Sequence, residues 1–186
     1  MIIKGRNILL RAIEPADTPL LHAWSNDPDI QYNLASWHFP ASARDIERWL
    51  AAFRNDSTDQ RFLIETAEHV AIGLANLVEI NWKDRNAFHG MLLDAPARGR
   101  GYGADTVNTI MRYAFEELAL ERLDTTIIEY NHASYRLYIG KCGWVEEGRK
   151  RNAYYRRDRY WAKIIAGITR DDYLKYRAKL TPPSEP

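Results

Sequence analysis

The part of the sequence best suited to chemistry is the run Arg98-Gly99-Arg100-Gly101-Tyr102-Gly103, which Ala104 follows. It lies between a predicted strand that ends at Leu93 and a helix predicted over about residues 101–118. The unpaired amides of a helix N-terminus favour an anion, and glycine lets the backbone approach a phosphate closely. Three glycines at alternate positions therefore predict a phosphate-binding loop. The alternative, a tight structural turn, would need only one glycine.

Two other phosphate-binding motifs fit this loop less well. Gly99, Gly101 and Ala104 satisfy the dinucleotide pattern G-x-G-x-x-G/A, but that pattern usually opens a fold and needs an acidic residue after the next strand. Here it follows a predicted antiparallel meander instead. A Walker loop requires G-K-S/T after the glycines, and the sequence lacks it. A nicotinamide, flavin or nucleoside triphosphate site is therefore the weaker hypothesis.

The elements that must position this loop follow from hydrophobic periodicity and turn residues. Before the loop, the predicted strands cover residues 6–13, 61–66, 71–80 and 87–93, and the predicted helices cover 20–24 and begin again at Ser42. After it, the predicted elements are the helix already described, a strand over 123–130, a helix over 133–142, a hairpin over 144–155 and 159–168, and a helix over 171–180. The order helix, strand, helix after residue 93 is typical of a βαβ crossover with parallel strands.

Composition restricts the class of protein. The 186 residues suit one domain, and we expect it to cover residues 1–180, with a tail over 181–186. The 26 basic and 25 acidic side chains leave a net charge of +1, too small to attract nucleic acid or a membrane without a local patch. Cys142 is the only cysteine and no histidine pair has helical ligand spacing, so we expect no metal. Because no run of about 18 apolar residues occurs, we expect a cytoplasmic protein without membrane contact.

Two linked motifs point to one family. Residues 98–103 match the loop pattern Q/R-x-x-G-x-G/A, and Asn131-His-Ala-Ser134 with Tyr138 and Gly143-Trp144 matches N-x-x-A/S-x-x-x-Y followed by G-F/W. Together they resemble the GNAT superfamily of acyl-CoA-dependent N-acetyltransferases. Further segments, such as Trp24-Ser-Asn-Asp27, are similar to the subgroup of ribosomal-protein N-terminal (alanine/serine) acetyltransferases and their small-amine relatives.

The resemblance implies a fold, a cosubstrate and residue roles. The implied fold is a GNAT-like single α/β domain, with a mixed, mostly antiparallel sheet, a central βαβ crossover, flanking helices and a bulge that splays the two crossover strands. The implied cosubstrate is acetyl-CoA, whose pantetheine arm Asn131 would bind and whose leaving thiolate Tyr138 would protonate. The implied acetyl-CoA contacts are Leu93, Arg98, Gly99, Arg100, Gly101, Tyr102, Gly103, Ala104 and Asn131.

The spacing of the second motif leaves the catalytic acid open. Counting forward from Asn131 selects Tyr138, whereas counting back from Gly143 selects Ile139, so one residue near Gly140 is extra. A phenol with an ordinary pKa of about 10 is a suitable proton donor to a sulfur anion. The alternative is a structural tyrosine on the buried side of a short helix.

The base also departs from the family pattern. Ala87 stands where many relatives have a glutamate that acts as the base. Glu129 is the candidate replacement, because alternation along its strand places it on the same face as Asn131. His89 and a water relay are the alternatives, and both side chains could be structural.

The missing glutamate affects which kind of acceptor amine we expect. An α-amine with a pKa of about 7.7–8.0 is substantially neutral near physiological pH, whereas a lysine at about 10.4 is almost wholly protonated. A weak base suffices for the first kind. We therefore expect direct attack, in a ternary complex, by a protein N-terminal α-amine or by a small amine of low pKa. A ribosomal protein as partner and a homodimer are further expectations.

The basic hairpin over residues 149–159 suggests a different class of function. Six of its eleven residues are Lys or Arg, and Tyr154 and Tyr155 are interleaved with them. Basic surfaces with aromatic side chains bind single-stranded RNA. The alternative to an enzyme is therefore an RNA- or ribosome-binding module, with CoA binding regulatory or absent. A solvated hairpin tip is the structural interpretation of the same residues.

Overall fold

An eight-stranded sheet organises the chain in the computed structural model, which describes residues 1–35, 39–52 and 58–180. The strands are β1 (Ile3–Lys4), β2 (Ile8–Arg11), β3 (Gln60–Thr66), β4 (Ala71–Asn81), β5 (Asn86–Leu93), β6 (Arg122–Ile128), β7 (Val145–Arg156) and β8 (Arg159–Thr169). Their order across the sheet is β1-β2-β3-β4-β5-β6-β8-β7. Among the described strands only β5 and β6 pair in parallel, so the expected mixed, mostly antiparallel GNAT-like sheet is confirmed.

In the described residues six α-helices flank the sheet. They are α1 (Thr18–Asn26), α2 (Pro28–Asn33), α3 (Ala43–Ala52), α4 (Tyr102–Arg112), α5 (His132–Tyr135) and α6 (Arg170–Leu180). Helix α3 begins with the capping box that its sequence indicates, because the Ser42 amide donates to Asp45 Oδ2 at 2.9 Å and the Asp45 amide donates to Ser42 Oγ at 3.2 Å. The expected tail over 181–186 lies outside the described residues.

The N-terminal part differs from its prediction in two places. The strand expected over residues 6–13 is the shorter β2, and β1, which is not among the predicted strands, pairs with it in antiparallel fashion after a turn at Gly5. Helix α2 is not among the predicted helices, because an Asp-Pro dipeptide is also typical of the end of a helix. In the structure this dipeptide begins α2, since the Asp27 side chain accepts from the Ile30 amide at 2.8 Å and proline occupies the first helical turn.

The two faces of the sheet carry separate hydrophobic cores. Successive side chains of a strand point to opposite faces. On β5, Met91 and Leu93 pack into the core formed with α4, whereas Leu92 packs into the core formed with α1, α2 and α3. The crossover helix and the three N-terminal helices therefore cover opposite faces of the strand that precedes the glycine-rich loop.

The parallel strands β5 and β6 separate soon after they begin. Their pairing ends with Phe88 and Asp124, although β5 continues to Leu93 and β6 to Ile128. The strands therefore splay toward their C-terminal ends, which is where ligands bind in sheets of this type. The register irregularity of the β4–β5 pair lies on β4, between Val78 and Asn81, and not on β5.

Where the splay begins, two hydrogen bonds between β4 and β5 involve side chains. The Asn76 carbonyl accepts from His89 Nδ1 at 2.8 Å, and Asn76 Oδ1 accepts from the Gly90 amide at 2.8 Å. His89 is fully buried, with its ring centroid 5.8 Å from that of Tyr138 and 6.2 Å from that of Trp144. Because Nδ1 faces a carbonyl, it carries the proton, and the imidazole is neutral.

Two helices finish in π-helical turns, over Tyr113–Glu117 and over Arg136–Lys141. In a π turn an amide bonds the carbonyl five residues earlier, so the turn holds one residue more than an α turn. The Cys142 amide donates to the Leu137 carbonyl at 3.0 Å in this way. The second π turn thus accommodates the extra residue that the sequence indicates near Gly140.

Burial of His89 makes stability depend on pH. Desolvation lowers its pKa from 6.5 to about 4 in the folded chain. Below pH 6.5 the unfolded chain therefore binds the proton more readily, so the stability that is present above this pH is lost progressively toward pH 4. Between pH 7.5 and 5 we expect the free energy of unfolding to fall by about 2 kcal/mol more for the wild type than for His89→Gln, measured by urea denaturation.

The matched control is His132→Gln, which changes an exposed histidine and should follow the wild type. Glutamine retains an N–H donor for the Asn76 carbonyl, so His89→Gln separates the titration from the hydrogen bond. Parallel pH curves for the wild type and His89→Gln would show that His89 does not carry this dependence.

Candidate active site

A first cavity of about 420 Å³ lies at the C-terminal end of β5. Most of the acetyl-CoA contacts implied by the sequence line it, namely Leu93, Arg98, Gly99, Gly101, Gly103, Ala104 and Asn131. Arg100 and Tyr102 do not line it. The Arg100 guanidinium instead lies over the Tyr102 ring, 5.7 Å from its centroid. The glycine-rich loop therefore presents mainly its backbone to the cavity.

The loop needs glycine for its backbone conformation. Gly99 has φ +75° and Gly101 has φ +89°, and a Cβ atom at either position would meet nothing within 4 Å. The left-handed conformation, rather than crowding, therefore selects glycine there. Gly101 is also the N-cap of α4, so the amides of the first turn, which an α-helix cannot bond internally, begin directly after it. These amides and the helix dipole favour an anion.

Two cations that the sequence reasoning missed line the same cavity. Arg136 and Lys141 lie five residues apart, at the two ends of the second π turn. Both side chains line the first cavity together with their neighbours Leu137 and Tyr138. Arg98 is a third lining cation, although its Nε donates to the Leu93 carbonyl at 3.0 Å. Three cations and the loop amides fit a ligand that carries several phosphates.

A second cavity of about 460 Å³ meets the first one through the splay between β5 and β6. Both cavities are lined by Asn33, Leu34, Met91, Leu92, Asn131, Ser134 and Tyr138. The second cavity is lined in addition by residues of α1, α3, β3, β4, β6 and the middle of β5 that do not line the first cavity, for example Leu21, Trp49 and Phe88. A ligand in each cavity would therefore meet the other at the shared residues.

Tyr138 lies on the shared wall and is 3% exposed. Its neighbour Ile139 packs against the core and lines neither cavity, so of the two residues that the spacing left open Tyr138 is the one at the cavities. Burial raises the pKa of the phenol far above its ordinary value, and the hydroxyl is hydrogen-bonded to Thr125. The phenol is therefore protonated throughout the physiological range, as a proton donor must be.

Glu129 lies outside the lining of both cavities. Its Oε2 accepts from the Ala162 amide at 3.1 Å, and Arg149 Nη1 lies 3.4 Å from its Oε1. The Glu129 amide also donates to the Ala162 carbonyl at 3.0 Å. The side chain thus extends the β6–β8 pairing at the end of β6, and the structure does not bring it to Tyr138.

The other candidate for the base also faces away from the second cavity. His89 lies on the α4 face of β5 and lines neither cavity, and its ring is neutral at physiological pH because burial lowers its pKa to about 4. Ala87 lies on that same face and is buried in the α4 core. Among the described residues that line the second cavity there is no carboxylate and no histidine.

The basic hairpin directs several of its arginines at aromatic rings of the protein itself. The Arg157 guanidinium lies 4.2 Å from the centroid of Tyr32, and that of Arg159 lies 4.1 Å from the centroid of Trp161. Tyr32 belongs to α2, whose last residue lines both cavities. These stacked contacts give the hairpin tip a role in packing beside the cavity wall.

The described part of the chain contains no group of three His, Cys, Asp or Glu side chains that could hold a metal ion. In the same residues, no helix is both long and apolar enough to cross a bilayer.

Comparisons with known proteins agree with this geometry. The sequence model of the Acetyltransferase (GNAT) domain matches residues 7–145. The spermidine N(1)-acetyltransferase of Vibrio cholerae is 28% identical over 170 residues, which cover 90% of this chain and 95% of that protein. The SPbeta prophage-derived uncharacterized N-acetyltransferase YokL of Bacillus subtilis is 28% identical over 169 residues, with 91% and 93% coverage. Neither relative is named for ribosomal proteins.

A solved structure matches the fold over almost its whole length. The crystal structure of the Vibrio cholerae spermidine N-acetyltransferase in complex with CoA and spermine superposes with a TM-score of 0.82 at 27% identity. The match covers 90% of this chain and 98% of that one.

CoA binding tests the glycine-rich loop. We expect Gly101→Glu to abolish the binding of acetyl-CoA in calorimetry, because it adds a like charge and a strained left-handed residue at the phosphate cradle. Gly101→Asn should retain much of the affinity, since asparagine tolerates this conformation. Gly148→Glu is the matched control, because a Cβ at Gly148 also meets nothing within 4 Å and Gly148 lines neither cavity. Unchanged affinity in Gly101→Glu would exclude the loop as the binding site.

Proposed function

The chain belongs to the GNAT acetyltransferase family and is an acetyl-CoA-dependent N-acetyltransferase, and we propose that its acceptor is the primary amine of a small molecule. The observation that carries the proposal is the second cavity. At about 460 Å³ it has the size of a small-ligand site, and its walls come from helices as well as strands. It meets the phosphate-binding cavity at Tyr138, where an amine and a thioester would come together.

The residues of the first cavity would hold acetyl-CoA, which supplies the acetyl thioester. The loop amides after Gly101 and the cations Arg98, Arg136 and Lys141 would bind its phosphates. Asn131 would orient the pantetheine arm, and its own side chain is fixed because Oδ1 accepts from the Ser134 amide at 3.0 Å. These contacts position the thioester at the shared wall, so that catalysis gains from orientation in a ternary complex.

Tyr138 is the proposed acid for the leaving sulfur. Its buried phenol stays protonated, and the hydrogen bond from Thr125 restricts where the hydroxyl points. The acceptor amine would attack directly from the second cavity. Because no carboxylate or histidine occurs among the described lining residues there, the proposal does not assign Glu129 as the base. The amine must then enter largely in its neutral form, which favours an amine of low pKa.

A small amine fits these observations better than a protein N-terminus. The relatives named for a substrate act on spermidine, a small molecule. The cavity lies between α1, α3 and the sheet, where a peptide would have to thread its chain. The RNA-binding alternative has no such support, since Arg157 and Arg159 stack on the protein's own rings.

The role of Tyr138 can be tested by removing one oxygen atom. We expect Tyr138→Phe to lower kcat by about 10²–10⁴-fold and to change the affinity for acetyl-CoA little, because an acid acts mainly in the transition state. Tyr135→Phe is the matched control. It removes the hydroxyl of another tyrosine three residues earlier, which bonds Glu146 and lines neither cavity. A Tyr138→Phe enzyme within twofold of the wild type would place the acid elsewhere.

The acceptor class can be tested by a thiol-release screen at pH 7 to 9. The panel contains small primary amines, including polyamines, aminoglycosides and amino acids, together with Ser- and Ala-initiated peptides and lysine peptides. We expect kcat/KM for the best small amine to exceed that for every peptide by at least tenfold. Turnover of peptides with all small amines silent would overturn the proposed acceptor and leave the acetyltransferase assignment intact.

A further inference from the structure

One row of residues across the sheet makes one part of the second cavity polar. Arg61 on β3 is the Cα partner of Asn76 on β4, and Asn76 is the partner of Gly90 on β5. All three line the second cavity. Directly opposite residues on one face have Cβ atoms about 5 Å apart, so the two polar side chains are neighbours. Gly90 adds no side chain, which leaves room above its strand.

Asn76 directs the N–H donors of its carboxamide to this cavity. Its Oδ1 accepts from the Gly90 amide at 2.8 Å, and this bond sets the orientation of the carboxamide. The Asn76 backbone carbonyl accepts a hydrogen bond from His89 Nδ1 at 2.8 Å. The carboxamide nitrogen is therefore the polar group that Asn76 presents to a ligand.

Arg61 brings a charge and further donors to the same place. Its Nη2 lies 3.0 Å from Asp59 Oδ2, and Asp59 Oδ1 in turn accepts from the Glu79 amide at 3.1 Å. A guanidinium has five N–H donors, so it can bind Asp59 and a ligand together. Arg11 of this chain serves Asp17, Glu65 and the Ala12 carbonyl at once.

Arg61 is also the one charged side chain among the described residues that line the second cavity. A ligand with a second ammonium group would place it near a guanidinium that Asp59 pairs on one side, and no described lining residue offers a carboxylate to that ammonium. An anionic oxygen group would instead accept charge-assisted hydrogen bonds from Arg61 and a further one from Asn76. The chemistry of this row thus suits an anion and disfavours a polycation.

We propose that Arg61 and Asn76 bind an anionic oxygen group of the acceptor, a carboxylate or a phosphate, so that the preferred substrate is an anion-bearing primary amine and not a polyamine. The inference rests on the proposed function, because it assigns the second cavity to the acceptor. The next row of the sheet, Leu63–Leu74–Leu92, lies two residues along the strands, or about 7 Å away, and reaches the wall shared with the first cavity. An apolar spacer would therefore separate the anion from the reacting amine.

The experiment compares acceptors that differ only in the distal group. Primary amines with two to five methylenes are assayed as ω-amino carboxylates, ω-aminoalkyl phosphates, uncharged n-alkylamines and diamines. We expect kcat/KM for the better anionic series to exceed that for diamines of equal length by at least tenfold, with most of the difference in KM. The ranking of carboxylate against phosphate identifies which anion the site takes.

Two variants then test the residues. Asn76→Asp keeps an oxygen acceptor for the Gly90 amide but replaces the donor with a negative charge, and Arg61→Glu reverses the charge of the row. Each should lower the anion-to-diamine ratio of kcat/KM by at least tenfold. Arg61→Lys should retain the preference in weaker form. Arg151→Glu is the matched control for net charge, because Arg151 is exposed on β7 and lines neither cavity.

The outcomes separate this inference from the proposed function. If diamines are the better substrates, or if Arg61→Glu and Asn76→Asp leave the ratio unchanged, the inference is wrong while the small-amine acetyltransferase stands. If no small amine of any series is acetylated although calorimetry detects acetyl-CoA binding, the proposed acceptor and the inference fail together.

Discussion

The site depends on the separation of two parallel strands that would otherwise pair to their ends. Strands β5 and β6 part after Phe88 and Asp124, and both cavities open into the resulting gap. On the other edge of β5, the His89 ring and the Asn76 carboxamide add hydrogen bonds between β4 and β5 beside the gap. A buried neutral imidazole is costly to protonate, so these bonds are made by a group that stays uncharged at neutral pH. One wall of the gap is thus fixed by buried side chains of the core.

Helix α5 and the π turn that follows it complete the site. Arg136, Tyr138 and Lys141 of this turn all line the first cavity. Close contact with α4 holds the turn in place, since a Cβ at Gly103 would lie 3.3 Å from Leu137 Cδ2. The phosphate loop and the proposed acid are therefore positioned by the same helix contact.

Local patterns in the sequence were enough to predict much of the fold and the glycine-rich loop. Alternation and turn residues indicated β3, β4, β5 and the β7–β8 hairpin, because these strands are paired with sequence neighbours. Helix α2 was missed because Asp-Pro can end one helix and begin another. The cations Arg136 and Lys141, and the row of Arg61, Asn76 and Gly90, depend on a π turn and on strand register, which no single segment reveals. Glu129 follows the expected alternation, but backbone pairing at the strand end engages its carboxylate.

In the proposed reaction, burial favours the neutral amine, which a glutamate base at position 87 would provide in relatives. Ala87 faces the α4 core, on the side of β5 opposite to the acceptor cavity, so nothing at that position acts on the amine in this chain. Desolvation favours the neutral form of every group in the gap. It keeps the phenol of Tyr138 protonated, and it lowers the pKa of an amine that enters the same space. One physical effect thus favours both the protonated phenol and the neutral amine that the proposed reaction requires.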